Sequence, residues 1–117
     1  MATNADCIFC KIVAGEIPAA KVYEDERALA FSDINPQAPT HALVIPREHV
    51  ASIGNADESH EALLGHLLLV AARVAREAGH ADKGFRAVVN TGAQAGQTVF
   101  HVHVHVLGGR ALTWPPG

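Results

Sequence analysis

Residues 100–107 read Phe-His-Val-His-Val-His-Val-Leu. An extended strand sends successive side chains to opposite faces. The alternation predicts a strand over Val99 to Leu107, with Phe100, Val102, Val104 and Val106 on one face and His101, His103 and His105 on the other. The apolar row must be covered by another layer, so the strand belongs to a sheet packed on a core. The imidazole row repeats every ~6.6 Å and titrates near neutral pH. Three histidines in a row is an unusual way to solvate a strand. It points to chemistry on an anion or a metal.

An imidazole serves as metal ligand, acid or base, or nucleophile. The strand pattern alone does not choose among these. The preceding Gly96-Gln97-Thr98 and the following Gly108-Gly109 offer backbone N–H groups suited to a phosphate. That favours an anionic substrate.

The chain of 117 residues suffices for one domain and one core, so residues 1–117 are read as a single unit. Hydrophobic residues at 49% against 18% charged exclude a disordered chain. Only 9 Lys and Arg, with no basic run, argue against nucleic acid as a partner. The longest apolar run, Leu67 to Ala72, is too short to span a bilayer. Met1 to Asp6 lack the pattern of a signal peptide, so the expected location is the cytoplasm.

Around the histidine strand the pattern is α+β. A short helix is expected near Cys7 to Val13, ended by Gly15 and Pro18. Lys21 to Glu24 and Ala28 to Ser32 read as a hairpin, and His41 to Ile45 as a third strand stopped by Pro46. The long helix is expected over Asp57 to Ala78, capped by Asp57. Its apolar stripe would comprise Leu63, Leu64, Leu67, Leu68, Ala71, Val74 and Ala78. His60, His66 and His80 read as surface residues. Phe85 to Asn90 is the fourth strand and Val99 to Leu107 the fifth. The whole is an antiparallel sheet of about five strands with one long and one short helix.

Cys7 and Cys10 form a Cys-x-x-Cys pair. Without a secretory signal, three readings stand: half a zinc site, a redox pair, or two buried small side chains.

The run His101 to Leu107 is similar to the His-φ-His-φ-His-φ-φ signature of the histidine triad superfamily. Ala30 to His41, Leu43 to Pro46, Asn90-Thr91-Gly92, Gly96 to Val99, Leu107 to Arg110 and Trp114 to Gly117 also match in order. The chain most resembles the nucleotide-binding protein branch, the purine nucleoside phosphoramidases. The uridylyltransferase branch carries glutamine where this chain has His105. The dinucleoside polyphosphate hydrolase branch lacks the Gly-Gly-Arg and Trp-Pro-Pro tail.

The resemblance implies a hydrolase that cleaves the P–N bond of a purine nucleoside 5′-phosphoramidate. His103 would be the nucleophile, with a covalent nucleotidyl–histidine intermediate. His105 and Thr98 would hold phosphate oxygens or protonate the leaving amine, and His41 would enter the same pocket. Thr98 stands where relatives often have serine, and Ser32 where close relatives have histidine. Asn90, Gly96, Gln97 and Val99 belong to the expected phosphate and ribose surroundings, and Asp33 would accept from the ribose hydroxyls. Phe9, Ile12, Phe31, Ile34 and Leu43 would form the purine slot. In some bacterial-type relatives the Cys-x-x-Cys is joined by residues aligning with His49 and His101. This implies a structural Zn²⁺ on Cys7, Cys10, His49 and His101, with no cofactor for catalysis. Members form homodimers through the fourth-strand region and the long helix. Two alternatives stay open: a dinucleoside polyphosphate hydrolase, and a non-catalytic purine nucleotide-binding module.

Overall fold

The computed structural model describes residues 4–117. The signal-peptide reading rests in part on Met1 to Thr3, which lie outside the described residues. The elements are α1 (Ile8–Val13), β1 (Lys21–Glu24), β2 (Ala28–Ser32), β3 (Thr40–Pro46), α2 (Glu61–Glu77), β4 (Phe85–Val88) and β5 (Val104–Gly108). One antiparallel sheet has the order β1-β2-β3-β5-β4. Among the described residues, no helix is long and apolar enough to cross a membrane.

The sheet is covered on both faces, which explains why β2 and β3 read as continuous apolar runs without alternation. On one face, Ala30, Val44, Val102, Val104 and Val106 pack against Leu67, Val70, Ala71 and Val74 of α2. On the other, Leu29, Phe31, Leu43 and Ile45 pack against Phe9 and Ile12 of α1. Each fully buried large aliphatic side chain contributes about 1.5–3 kcal/mol.

The histidine strand is shorter than expected. Its ladder begins at Val104, opposite Val44, and runs to Gly108. Beyond Val44, β3 runs on to Pro46 paired with β2 alone, and the Pro46 carbonyl accepts from the ring Nε2–H of His101 instead of a backbone N–H. Residues 99–103 lie outside the sheet, and the Val102 N–H donates to the Val50 carbonyl. Phe100 consequently leaves the core row and is half exposed, whereas Val102, Val104 and Val106 are buried as expected.

Other differences are local. The Asp57 carboxylate accepts from Ser59 N–H, and the Asp57 N–H donates to the His60 ring, forming a capping box on a tight turn, Glu58–His60. Regular helix therefore starts at Glu61. Its buried stripe runs through Leu67, Val70, Ala71, Val74 and Ala75, leaving Leu68 and Leu69 exposed. β4 ends at Val88, two residues early. His60, His66 and His80 are half-buried and not free surface residues. His66 bonds Asp25 at 2.7 Å and His80 bonds Thr40 at 2.8 Å, each bridging α2 or its exit to the sheet.

Candidate active site and metal centre

Register places the site. His105 stands between Leu43 of β3 and Val88 of β4, and His41 lies two residues before Leu43 on the same face. His103 precedes the ladder by one residue and packs its ring edge-on against Phe9 of α1, with centroids 5.2 Å apart. A cleft of about 430 Å³ opens between α1 and the sheet. Phe9, Ile12, Phe31, Ile34 and Leu43 line it, with Ile8 and Ile17, which the sequence reading missed. Ile17 sits in the turn after α1, where no periodicity marks it. Asp33, Thr98, Val99, His103 and His105 line the polar end. Ile34 is fully exposed, so it lies at the rim, whereas Phe9, Ile12, Phe31 and Leu43 are buried walls.

Backbone partners assign the proton on each ring of the triad. A carbonyl only accepts, so the 2.8 Å bond between His103 Nδ1 and the His101 carbonyl puts a proton on Nδ1. The lone pair of His103 is then on Nε2. The 2.8 Å bond from His101 Nε2 to the Pro46 carbonyl leaves the His101 lone pair on Nδ1. A backbone N–H only donates, so Gln37 N–H at 3.0 Å fixes His41 Nδ1 as acceptor. His41 Nε2–H then donates to His105 Nδ1 at 2.9 Å, which leaves the His105 proton on Nε2. Asp33 stands 3.4 Å from the same His41 nitrogen. His41 and His105 are thus joined by one directed hydrogen bond, with Asp33 close beside them. Their donor set does not suit a cation, because the His41 lone pair faces Gln37.

Burial favours the neutral form of His103 and His105. It lowers His103 below the usual histidine value, against the pull of its bond to the His101 carbonyl. It lowers His105 to about 4, helped by the charges of His103 and His41. A neutral imidazole is the form that can act as a nucleophile.

Gln97 is placed differently from its expected role. It is buried, its NH₂ donates to the carbonyls of Ala51 at 2.8 Å and Val99 at 3.1 Å, and its oxygen accepts from Gly92 N–H. All of its polar atoms brace the loop. Asn90 and Gly96 neighbour each other beside that loop and do not line the cleft.

On the far side of His101, four side chains converge. His101 Nδ1 lies 3.3 Å from Cys7 Sγ, 3.6 Å from Cys10 Sγ and 3.2 Å from His49 Nδ1, and Cys10 Sγ lies 3.4 Å from His49 Nδ1. Zinc bonds of ~2.3 Å to sulfur and ~2.0–2.1 Å to nitrogen at tetrahedral angles require N–S gaps of about 3.6 Å and N–N gaps of about 3.3–3.4 Å. The four atoms match this within a few tenths of an ångström. The His101 lone pair already points at the centre, because Pro46 holds its other nitrogen. Cys7 and Cys10 are free thiols with no disulfide between them. The donor set and its spacing fit Zn²⁺, and these four residues would hold it.

The chain is similar to known proteins over nearly its whole length. The HIT domain family matches residues 14–112. An uncharacterized HIT-like protein of Synechocystis sp. is 56% identical over 112 residues, covering 96% of this chain and 97% of its own. A 14 kDa zinc-binding protein of Zea mays is 53% identical, over 97% of this chain and 90% of its own. The crystal structure of a HIT family hydrolase from Legionella pneumophila superposes with a TM-score of 0.94 at 49% identity, covering 96% of this chain and all of that one.

Proposed function

This chain belongs to the HIT domain family, and from that footing we propose that it hydrolyses the P–N bond of purine nucleoside 5′-phosphoramidates. The observation that carries the proposal is the His103 tautomer: Nδ1–H is held by the His101 carbonyl, and the lone pair on Nε2 belongs to a ring lining the cleft. The hydrolase named for the Legionella relative supports the reaction class.

His103 Nε2 attacks the α-phosphorus, and the P–N bond breaks. The leaving amine takes a proton from solvent, while the His105 Nε2–H, held on that nitrogen by His41, donates to a phosphate oxygen. A nucleotidyl–His103 adduct results. Water then attacks the phosphorus, gives up its proton to solvent, and releases the nucleoside monophosphate. Thr98 hydrogen-bonds a phosphate oxygen, Asp33 accepts from the ribose hydroxyls, and the Phe9–Ile12–Phe31–Leu43 walls hold the base. The reaction itself uses no metal. Zn²⁺ on Cys7, Cys10, His49 and His101 ties α1 to the segment before β5.

The protein works as a cytoplasmic homodimer in this reading. The exposed Leu68 and Leu69 of α2 and the free edge of β4 offer apolar and hydrogen-bonding surface for self-pairing.

The test is turnover of adenosine 5′-phosphoramidate by wild type and His103→Ala, with mass spectrometry for a trapped adduct. Wild type turns over and carries one nucleotidyl group; the variant loses the adduct and about 10³-fold or more in rate. Tight monophosphate binding without turnover would leave a binding module. Preferential cleavage of diadenosine polyphosphates would make the chain a dinucleotide hydrolase.

A further inference from the structure

The chain from residue 99 to residue 103 carries the nucleophile but belongs to no strand. What holds it is therefore specific. The Val102 N–H donates to Val50, and the His101 ring is anchored at both nitrogens, by Pro46 on one side and by the Cys7, Cys10 and His49 atoms on the other. The main-chain carbonyl of this same His101 accepts the Nδ1–H of His103 at 2.8 Å. One residue thus joins the sulfur–imidazole centre with its ring and the nucleophile with its backbone.

A second route runs through α1. Cys7 is the N-cap of that helix and Cys10 lies within it. Between them sits Phe9, whose ring packs edge-on against both His101, at 5.8 Å, and His103, at 5.2 Å. Fixing the two sulfurs fixes the helix turn that carries this ring.

We propose that the Cys7–Cys10–His49–His101 centre, with a divalent cation bound, sets the orientation and tautomer of His103, making Cys7, Cys10 and His49 positioning residues for the reaction. This rests on His103 being the nucleophile. Without the cation the His101 ring loses one of its two anchors, its carbonyl gains freedom, and His103 samples the tautomer with its proton on Nε2. That tautomer has no lone pair on Nε2 with which to attack.

The experiment compares zinc-loaded wild type, the same protein stripped by a chelator and reloaded with zinc(II), Cys10→Ser and Cys10→His. Four quantities are read: zinc content, the His103 tautomer by nitrogen-15 NMR at mildly alkaline pH, the single-turnover rate of nucleotidyl transfer, and AMP affinity. Loaded wild type shows His103 protonated on Nδ1 alone. Stripping or Cys10→Ser gives a mixture of tautomers and slows transfer about 10-fold, within the range for groups that orient a reacting residue. AMP affinity falls by less than the transfer rate does, because Phe31 and Leu43, the walls carried by the sheet, are untouched. Reloading, or the imidazole of Cys10→His, restores both the tautomer and the rate. If Cys10→Ser does not fold, His49→Gln, at a half-buried position, carries the same measurements.

The proposal is overturned if wild type takes up no zinc. It is equally overturned if zinc leaves while tautomer and transfer rate stay unchanged and only thermal stability falls, since the centre is then a staple alone. If loaded wild type does not cleave the phosphoramidate, the functional reading fails on its own, and the NMR signal still decides whether the centre orders His103.

Discussion

His41 and His105 face each other with Nε2 and Nδ1 2.9 Å apart, and the direction of that bond is set by a third group, the backbone N–H of Gln37 behind His41. The loop between β2 and β3 therefore decides which nitrogen of His105 carries its proton. Its two prolines, Pro36 and Pro39, flank Gln37 and restrict the backbone that makes this bond.

The low value of His105 makes stability depend on pH. Burial lowers it to about 4 from an ordinary 6.5. Between these limits the unfolded chain binds more protons than the folded one, so stability rises with pH and is lost as pH falls through this window. We expect the melting temperature of wild type to drop by more degrees between pH 6.5 and 4.5 than that of His105→Gln. Parallel melting curves for the two proteins across this range would refute it.

Asp25 anchors the β1–β2 turn to α2. Burial pulls its carboxyl up, but bonds from Arg27 N–H, the Tyr23 hydroxyl, His66 and Ala28 N–H outweigh it and hold the group well below the usual carboxylate range. A carboxylate depressed in this way contributes stability above about pH 4, and the contribution is lost as pH falls further. Asp25→Asn should cost about 2–3 kcal/mol at pH 7, with the deficit shrinking in acid. Urea titrations at pH 7 and pH 3.5 measure both.

Gly108 and Gly109 end β5 against other chain segments. A Cβ on Gly108 would lie 2.6 Å from the His80 ring, which is held by its bond to Thr40 and cannot turn away without breaking it. A Cβ on Gly109 would lie 2.8 Å from Pro39, at a φ of +96°. Gly108→Ala should destabilise by about 1–3 kcal/mol and Gly109→Ala by more, because it adds left-handed strain to the clash. Equal and small losses in both variants, measured by thermal melts, would count against these contacts.

Removing metal should lower the melting temperature by about 10 °C or more. The four ligands join α1, the segment after β3 and the segment before β5, which no sheet bond connects. Melts with and without chelator, alongside zinc content, decide it. An unchanged melt in protein that contained zinc would mean that these segments hold without it.

Much of this was legible in the chain because alternation is a local signal. Val102, Val104 and Val106 face inward as the pattern requires, and Phe9, Phe31 and Leu43 meet in one cleft wall. Phe100 departs because the pairing with β3 begins only at Val104, opposite Val44, a limit set by a neighbour distant in sequence. The bracing role of Gln97 depends on a carbonyl 46 residues away, at Ala51, and the struts at His66 and His80 on partners about as remote. Spacing alone left the Cys-x-x-Cys ambiguous. His49, 39 residues from Cys10, entered only by family likeness and is brought beside it by the exit from β3.

The alternation of β5 and its approach separates two kinds of heritable change. Val102, Val104 and Val106 answer to α2, while His103 and His105 answer to the cleft. A substitution on the cleft side alters what the protein does without opening the α2 core, and a substitution on the α2 side is judged by packing alone. A lineage carrying this strand is free to try new reactions at positions 103 and 105 while keeping an inherited scaffold at 102, 104 and 106.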